Sequence, residues 1–217
     1  MPHAALAFRP ATKKAQREAS VEGLLNAARA RFVSQGYRLT TVDEIAEAAH
    51  LTKGAVYFYF RNKEALLAAL LDRVESIVVG GMTERVAAAG PGAAERLVAF
   101  MHGQAQLGIA SPDDVLLLIL MSLEFAGTGG SVETRIRAIY DRLYRAIEGI
   151  IALGKRRGEF RSDIRTREQA AIVMALHDGT FLEWYRRRRA LGGPELVRAL
   201  RTTMLAGLLA TQAAETR

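Results

Sequence analysis

Apolar residues recur three and four positions apart along nearly all of the 217-residue chain, and nowhere do they alternate strictly with polar ones over several residues. The first spacing marks one face of a helix and the second marks a half-buried strand, so the pattern predicts an all-α protein. Residues 1–18 carry Arg9, Lys13, Lys14 and Arg17 with little apolar content and read as a flexible basic arm. Val21, Leu24, Leu25, Ala28 and Phe32 then form the stripe of a first helix, with Gly36 just past its end where a left-handed cap suits glycine. A second helix opens at Thr41-Val42-Asp43-Glu44, with Ile45, Ala46 and Ala49 facing inward. A third follows from Thr52 with Val56 buried, and a fourth, capped by Asn62, runs through Leu66, Leu67, Leu70, Leu71, Val74 and Ile77 to Gly80-Gly81.

Beyond Gly81 the breaks are longer. Ala89-Gly90-Pro91-Gly92 interrupts the chain, Ser111-Pro112 starts a new helix, and Gly127 to Gly130 breaks it again. Ile136, Ile139, Tyr140, Leu143, Tyr144, Ile147, Ile150 and Ile151 make a long stripe ending near Gly158, and two further helices are expected over 166–191 and 194–214. The expected division is an arm over 1–18, a compact four-helix domain over 19–79 and a helical bundle over 80–217.

Thr41 to Glu44 is a capping box: hydroxyl and carboxylate each satisfy a backbone N–H that the first turn leaves open. Two short helices joined by a turn of a few residues are the ingredients of a helix-turn-helix, whose second helix enters the major groove of DNA. Ala46 is small where the two helices approach, and His50 stands at the turn, where a left-handed backbone is needed and histidine is among the tolerated residues. Tyr57-Phe58-Tyr59-Phe60 cannot all face one core, because consecutive helical residues point in different directions, so part of this aromatic run must be exposed.

Charge narrows the partner. A formal +7 on a chain one quarter charged calls for an acidic partner, with nucleic acid ahead of a membrane surface. The absence of cysteine excludes disulfides, thiolate nucleophiles and cysteine-bound zinc, and fits the reducing cytoplasm. The longest strongly apolar run, Val115 to Leu123, is too short to span a membrane, and the N-terminal segment has no continuous apolar core of a signal peptide. No Ser-His-Asp spacing, glycine-rich phosphate loop or apolar carboxylate pair supports an enzyme.

Gly36-Tyr37, Thr40-Thr41-Val42, Glu44-Ile45-Ala46, Leu51 through Phe60 and Asn62-Lys63-Glu64-Ala65-Leu66-Leu67 together resemble the N-terminal domain of TetR-family regulators over about residues 18–70, with His50 where that family usually has glycine. The resemblance implies a DNA-binding transcriptional regulator, a ligand-released repressor acting as a homodimer on an inverted repeat. It puts Thr52, Lys53, Gly54 and Ala55 at the start of the recognition helix, where small residues admit the bases and Lys53 can donate to guanine. Thr41, Tyr57, Tyr59 and Lys63 match positions that touch phosphate, and Phe58 an often aromatic position.

The resemblance also implies a C-terminal bundle that dimerises through its last two helices around an effector pocket. Ile172, Leu176, Trp184, Leu200, Met204 and Leu208 are the candidate interface residues. Phe100, Met101, His102, Gln104, Met121, Glu124, Phe125, Tyr140, Tyr144, His177 and Phe181 are the candidate pocket residues. Each of these residue types is more often plain core. His102 and His177 lack the cysteine or carboxylate pattern of a metal site, so neither metal nor cofactor is expected. The expected partners are duplex DNA, an unidentified small molecule and a second copy of the chain. The alternative is a helical-bundle binding protein or enzyme that never meets DNA.

Overall fold

The structure is a computed structural model that describes residues 12–187 and 190–210. It divides into two compact units between Leu70 and Leu71, earlier than the boundary expected near residue 79. Arg9 and the rest of residues 1–11, and residues 211–217 at the other end, lie outside the described part.

The first unit holds α1 (Lys13–Gln35), α2 (Val42–Ala48), α3 (Lys53–Tyr59) and the start of α4 (Lys63–Glu75). Residues 13–18 are therefore helical, not part of a flexible arm. The Thr12 hydroxyl accepts from Ala15 N–H at 3.2 Å, and Lys14 lies 3.9 Å from Glu18 one turn on, so the first turn has its own cap and charge pair. Leu24, Ala28 and Phe32 of α1, Ile45 and Ala46 of α2, Val56 of α3 and Leu66, Leu67 and Leu70 of α4 are buried, as their spacing predicts. Asn62 caps α4, its Oδ1 accepting from Ala65 N–H at 2.8 Å.

The second unit begins inside α4. Gly80-Gly81 does not end the helical path: Ser76–Gly80 forms a π-helix and α5 (Gly81–Ala88) continues directly, with both glycines right-handed. Glycine permits a break without enforcing one, since its N–H can still join the helical ladder. The rest is α6 (Ala93–Ala110), α7 (Pro112–Glu124), α8 (Ser131–Arg157), α9 (Thr166–Arg186) and α10 (Gly193–Leu208). α8 packs on α6, α7 and α9, and α10 lies on α6 and α9.

α9 and α10 both stop short of their expected ends at residues 191 and 214. At Leu209 the backbone turns extended and pairs with Phe160 in an isolated bridge, where Arg161 N–H donates to Leu208 C=O at 2.9 Å. Phe160 in turn is buried over Gly154, where a Cβ would meet the ring at 2.2 Å. Glu159 reaches back to α6, accepting from the first-turn N–H groups of Ala93 at 2.7 Å and Ala94 at 3.1 Å. Among the described residues no single helix is long and apolar enough to cross a membrane. The apolar run from Val115 is instead the interior of α7, with Val115 to Ile119 and Met121 all buried.

Candidate nucleic-acid interface and internal cavity

The surface from Thr41 to Phe60 is set by short-range bonds. Thr41 Oγ1 accepts from Glu44 N–H at 3.2 Å, and Glu44 Oε2 accepts from Thr41 N–H at 2.7 Å, which closes the expected capping box. The Thr41 backbone N–H, then its hydroxyl, hold the Glu44 carboxyl below its ordinary range. His50 adopts φ 55°, the left-handed conformation the turn requires, while Leu51 N–H returns to Ala46 C=O at 2.9 Å. Thr52 caps α3 through Ala55 N–H at 3.2 Å, and Val56 is the only α3 residue buried, so it anchors the helix and leaves the opposite face outside.

That outer face carries most of the expected contacts. Thr41, Thr52, Lys53 and Gly54 are exposed, Ala55 and Tyr59 are half-buried, and Tyr57 and Phe58 stand 48% and 77% exposed. An exposed phenylalanine at that level has no packing reason, and its ring meets Tyr59 edge-on at 5.0 Å. Gly54 has no internal reason to be glycine either: the nearest atom to an added Cβ is Thr52 Oγ1 at 3.9 Å. What the fold does not require, close approach of another molecule would.

Two lysines have partners that the sequence did not predict. Lys53 Nζ lies 2.8 Å from Asp43 Oδ2 on α2, a pairing the sequence spacing did not reveal and one that raises the lysine's pKa. The pair is solvent-exposed and weak, so Lys53 is free to exchange Asp43 for another acceptor. Lys63 is different. Its ammonium donates to the carbonyls of Tyr37 at 2.7 Å and Thr40 at 2.6 Å, with Arg38 at 3.4 Å, and sits 4.3 Å from the centroid of the Tyr37 ring. Three donors committed to backbone make it a clamp on the chain before α2, which replaces the expected phosphate contact.

In the second unit α6, α9 and α10 line a half-open cavity of about 50 Å³. Of the expected pocket residues Met101, Gln104, His177 and Phe181 line it. Phe100 and Met121 are core beside it, and His102 is exposed on the far side of α6. Glu124 and Phe125 end α7 away from the wall. Tyr144 lines a separate polar hollow with Asp141, Arg145 and Glu148. Tyr140 is half-buried, bonded to Ser122 and Asp178, and its desolvation pushes its phenol up. Trp184 and Leu200, expected at a dimer interface, are cavity lining instead. Met204 and Leu208 are buried within the chain and offer nothing to a partner. Their side chains lie on the inner face of α10, which period counting alone could not tell from the outer one. Ile172 is 49% exposed and Leu176 half-buried.

Comparison with known proteins gives concordant results. The model of the bacterial regulatory proteins, tetR family, matches residues 24–70. The crystal structure of the MbdR regulator from Azoarcus sp. CIB superposes with a TM-score of 0.80 at 48% identity, covering 88% of this chain and 100% of that one. The HTH-type transcriptional repressor BepR of Brucella suis is 26% identical over 79% of this chain and 83% of its own length. FadR from Bacillus subtilis, solved with stearoyl-CoA, shares the fold with a TM-score of 0.71 at 22% identity, over 86% of this chain and 98% of that one.

Proposed function

The chain belongs to the TetR family of bacterial regulatory proteins and is a DNA-binding transcriptional regulator, and from that premise we propose a homodimeric repressor that leaves an inverted-repeat operator when a small molecule fills its cavity. The observation that carries the proposal is the outer face of α3. Thr52, Lys53, Gly54, Tyr57 and Phe58 are exposed together while Val56 alone holds the helix to its unit. Lys53, Gly54 and Ala55 read base edges; Thr41, Tyr57 and Tyr59 hold phosphates through hydroxyls. Phe58 packs against the sugar-phosphate edge.

The dimer forms through the outward faces of α9 and α10. Ala171, Ala175 and Gly179 on one and Ala199, Thr203, Ala206 and Gly207 on the other are exposed and small, which lets helix backbones of two copies approach closely, and Ile172 adds an exposed apolar side chain to the same face. Two recognition helices about 34 Å apart then meet successive major grooves on one face of the duplex.

Release follows from the cavity wall. Gln104 lines the cavity and donates to Val78 C=O at 3.4 Å, inside the π-helix that continues α4. A ligand that moves Gln104 biases that segment, and α4 carries the bias along the chain toward α3. The test is in-vitro selection from a randomised duplex pool at low ionic strength. An inverted repeat should be enriched, with affinity falling steeply as salt rises. A pool with no enriched sequence overturns the proposal.

A further inference from the structure

We propose that the cavity between α6, α9 and α10 takes an uncharged, mostly apolar ligand bearing a hydroxyl group, and that the His177 Nε2 lone pair accepts the hydrogen bond from that hydroxyl. This rests on the reading of the cavity as the effector site and says what chemistry fills it.

The walls exclude charge. Among the described residues the lining contains no Asp, Glu, Lys or Arg, and its largest surfaces are Met101, Ile109, Phe181, Trp184, Leu196 and Leu200. An ionised group brought here would lose its hydration and meet no opposite charge. The rings of Phe181 and Trp184 lie 6.1 Å apart at 41°, and Gly108 lets α6 close on Phe181, since a Cβ there would come within 3.0 Å of the ring. A flat apolar body suits such a wall.

The polar groups of the lining then set the ligand's own polar atom. His177 Nδ1 lies 2.9 Å from Asp178 Oδ1. An ionised carboxylate only accepts, so Nδ1 carries the hydrogen, and in the neutral ring Nε2 is left as a bare acceptor. The tautomer is held from behind: Asp178 is bonded by the half-buried Tyr140, which is itself bonded to Ser122. Among the described residues Nε2 has no hydrogen-bond partner, although the His177 side chain is only 15% exposed. Gln104 directs one amide N–H to Val78 C=O, and its oxygen, its second N–H, the Thr180 hydroxyl and the Trp184 indole N–H complete the polar groups of the lining. A lining with a bare imidazole acceptor and several donors suits a group that both donates and accepts, and a hydroxyl on an apolar frame does so without charge.

Trp184 lines the cavity and is the only tryptophan in the chain, so its fluorescence reports occupancy. Four probes with a shared body separate the possibilities at mildly alkaline pH: para-propylphenol, its methyl ether para-propylanisole, propylbenzene and the anion para-propylbenzoate. The phenol should saturate the signal at a concentration about tenfold below the ether, the size of one net hydrogen bond, and the benzoate should bind weakest. In His177→Phe the phenol should lose its advantage while propylbenzene still binds. In Asp178→Asn, whose amide can present either donor or acceptor to Nδ1, the advantage should shrink with the imidazole still in place. A parent protein that binds phenol and ether alike, or prefers the benzoate, overturns the ligand class and leaves the effector site standing. A His177→Phe variant that keeps the preference overturns the role of His177. Silence of all four probes, by Trp184 fluorescence and by calorimetry, overturns the effector-site reading itself.

Discussion

Between Thr41 and Phe60 the bonds that shape the surface join near neighbours: Thr41 with Glu44, Leu51 with Ala46, Ala55 with Thr52. The cavity wall joins Met101 on α6 to His177 on α9 and Leu200 on α10. The first region is specified by local chemistry, and one buried side chain, Val56, fixes α3. The second exists only once three helices have packed, and its residues serve the core as much as the cavity. Substitutions should therefore separate stability from function in the first region and mix them in the second.

A matched pair of glycines gives the largest contrast. Gly154→Ala places a Cβ 2.2 Å from the Phe160 ring and should cost about 1–3 kcal/mol by overpacking, measured as a lower denaturant midpoint. Gly54→Ala meets nothing closer than 3.9 Å and should hold or raise the midpoint, since alanine is the better helix former, while weakening duplex binding where the backbone must come close. A Gly54→Ala protein that binds the enriched duplex as the parent does would erase the contrast.

Lys63 sharpens it next. Lys63→Met keeps the stem but removes the ammonium from the carbonyls of Tyr37 and Thr40, and should cost about 1.5–3 kcal/mol in chemical denaturation. Its loss of DNA affinity should track unfolding and not the number of phosphate contacts. A salt slope reduced by about one unit in a fully stable Lys63→Met variant would return it to the phosphate contacts.

Thr41→Ala should cost about 1 kcal/mol through the lost cap, read from thermal melts. The acid side of the same box gives the smallest effect. Glu44 has its folded pKa lowered, so its contribution is present above the ordinary carboxyl value of 4.5 and is lost as pH falls through the folded value. Melting curves of the parent and Glu44→Gln should converge in that acid window and differ at neutral pH.

The same contrast governs what the sequence made legible. The capping box, the left-handed His50 and the buried Val56 could be read because each depends on residues a few positions away. Lys53 with Asp43, and Lys63 with the Tyr37 and Thr40 carbonyls, could not, because ten and more positions separate the partners. In the bundle, helix periodicity found the apolar faces but not their assignment. Trp184 and Leu200 face the cavity, Met204 and Leu208 face the core, and His102 faces out, and each answer depends on where α6, α9 and α10 pack. Gly80-Gly81 reads as a stop in the sequence and is helix in the structure, since nothing in glycine itself forces an end.

The central claim is that the outer face of α3 reads DNA and that the fold does not need it. Duplex selection repeated with Lys53→Ala tests it most directly, alongside the denaturant midpoint of the same protein. The account predicts an unchanged midpoint and a changed base preference at one position in each half of the enriched repeat. The same motif recovered at the same affinity, or binding lost only in step with stability, would contradict it.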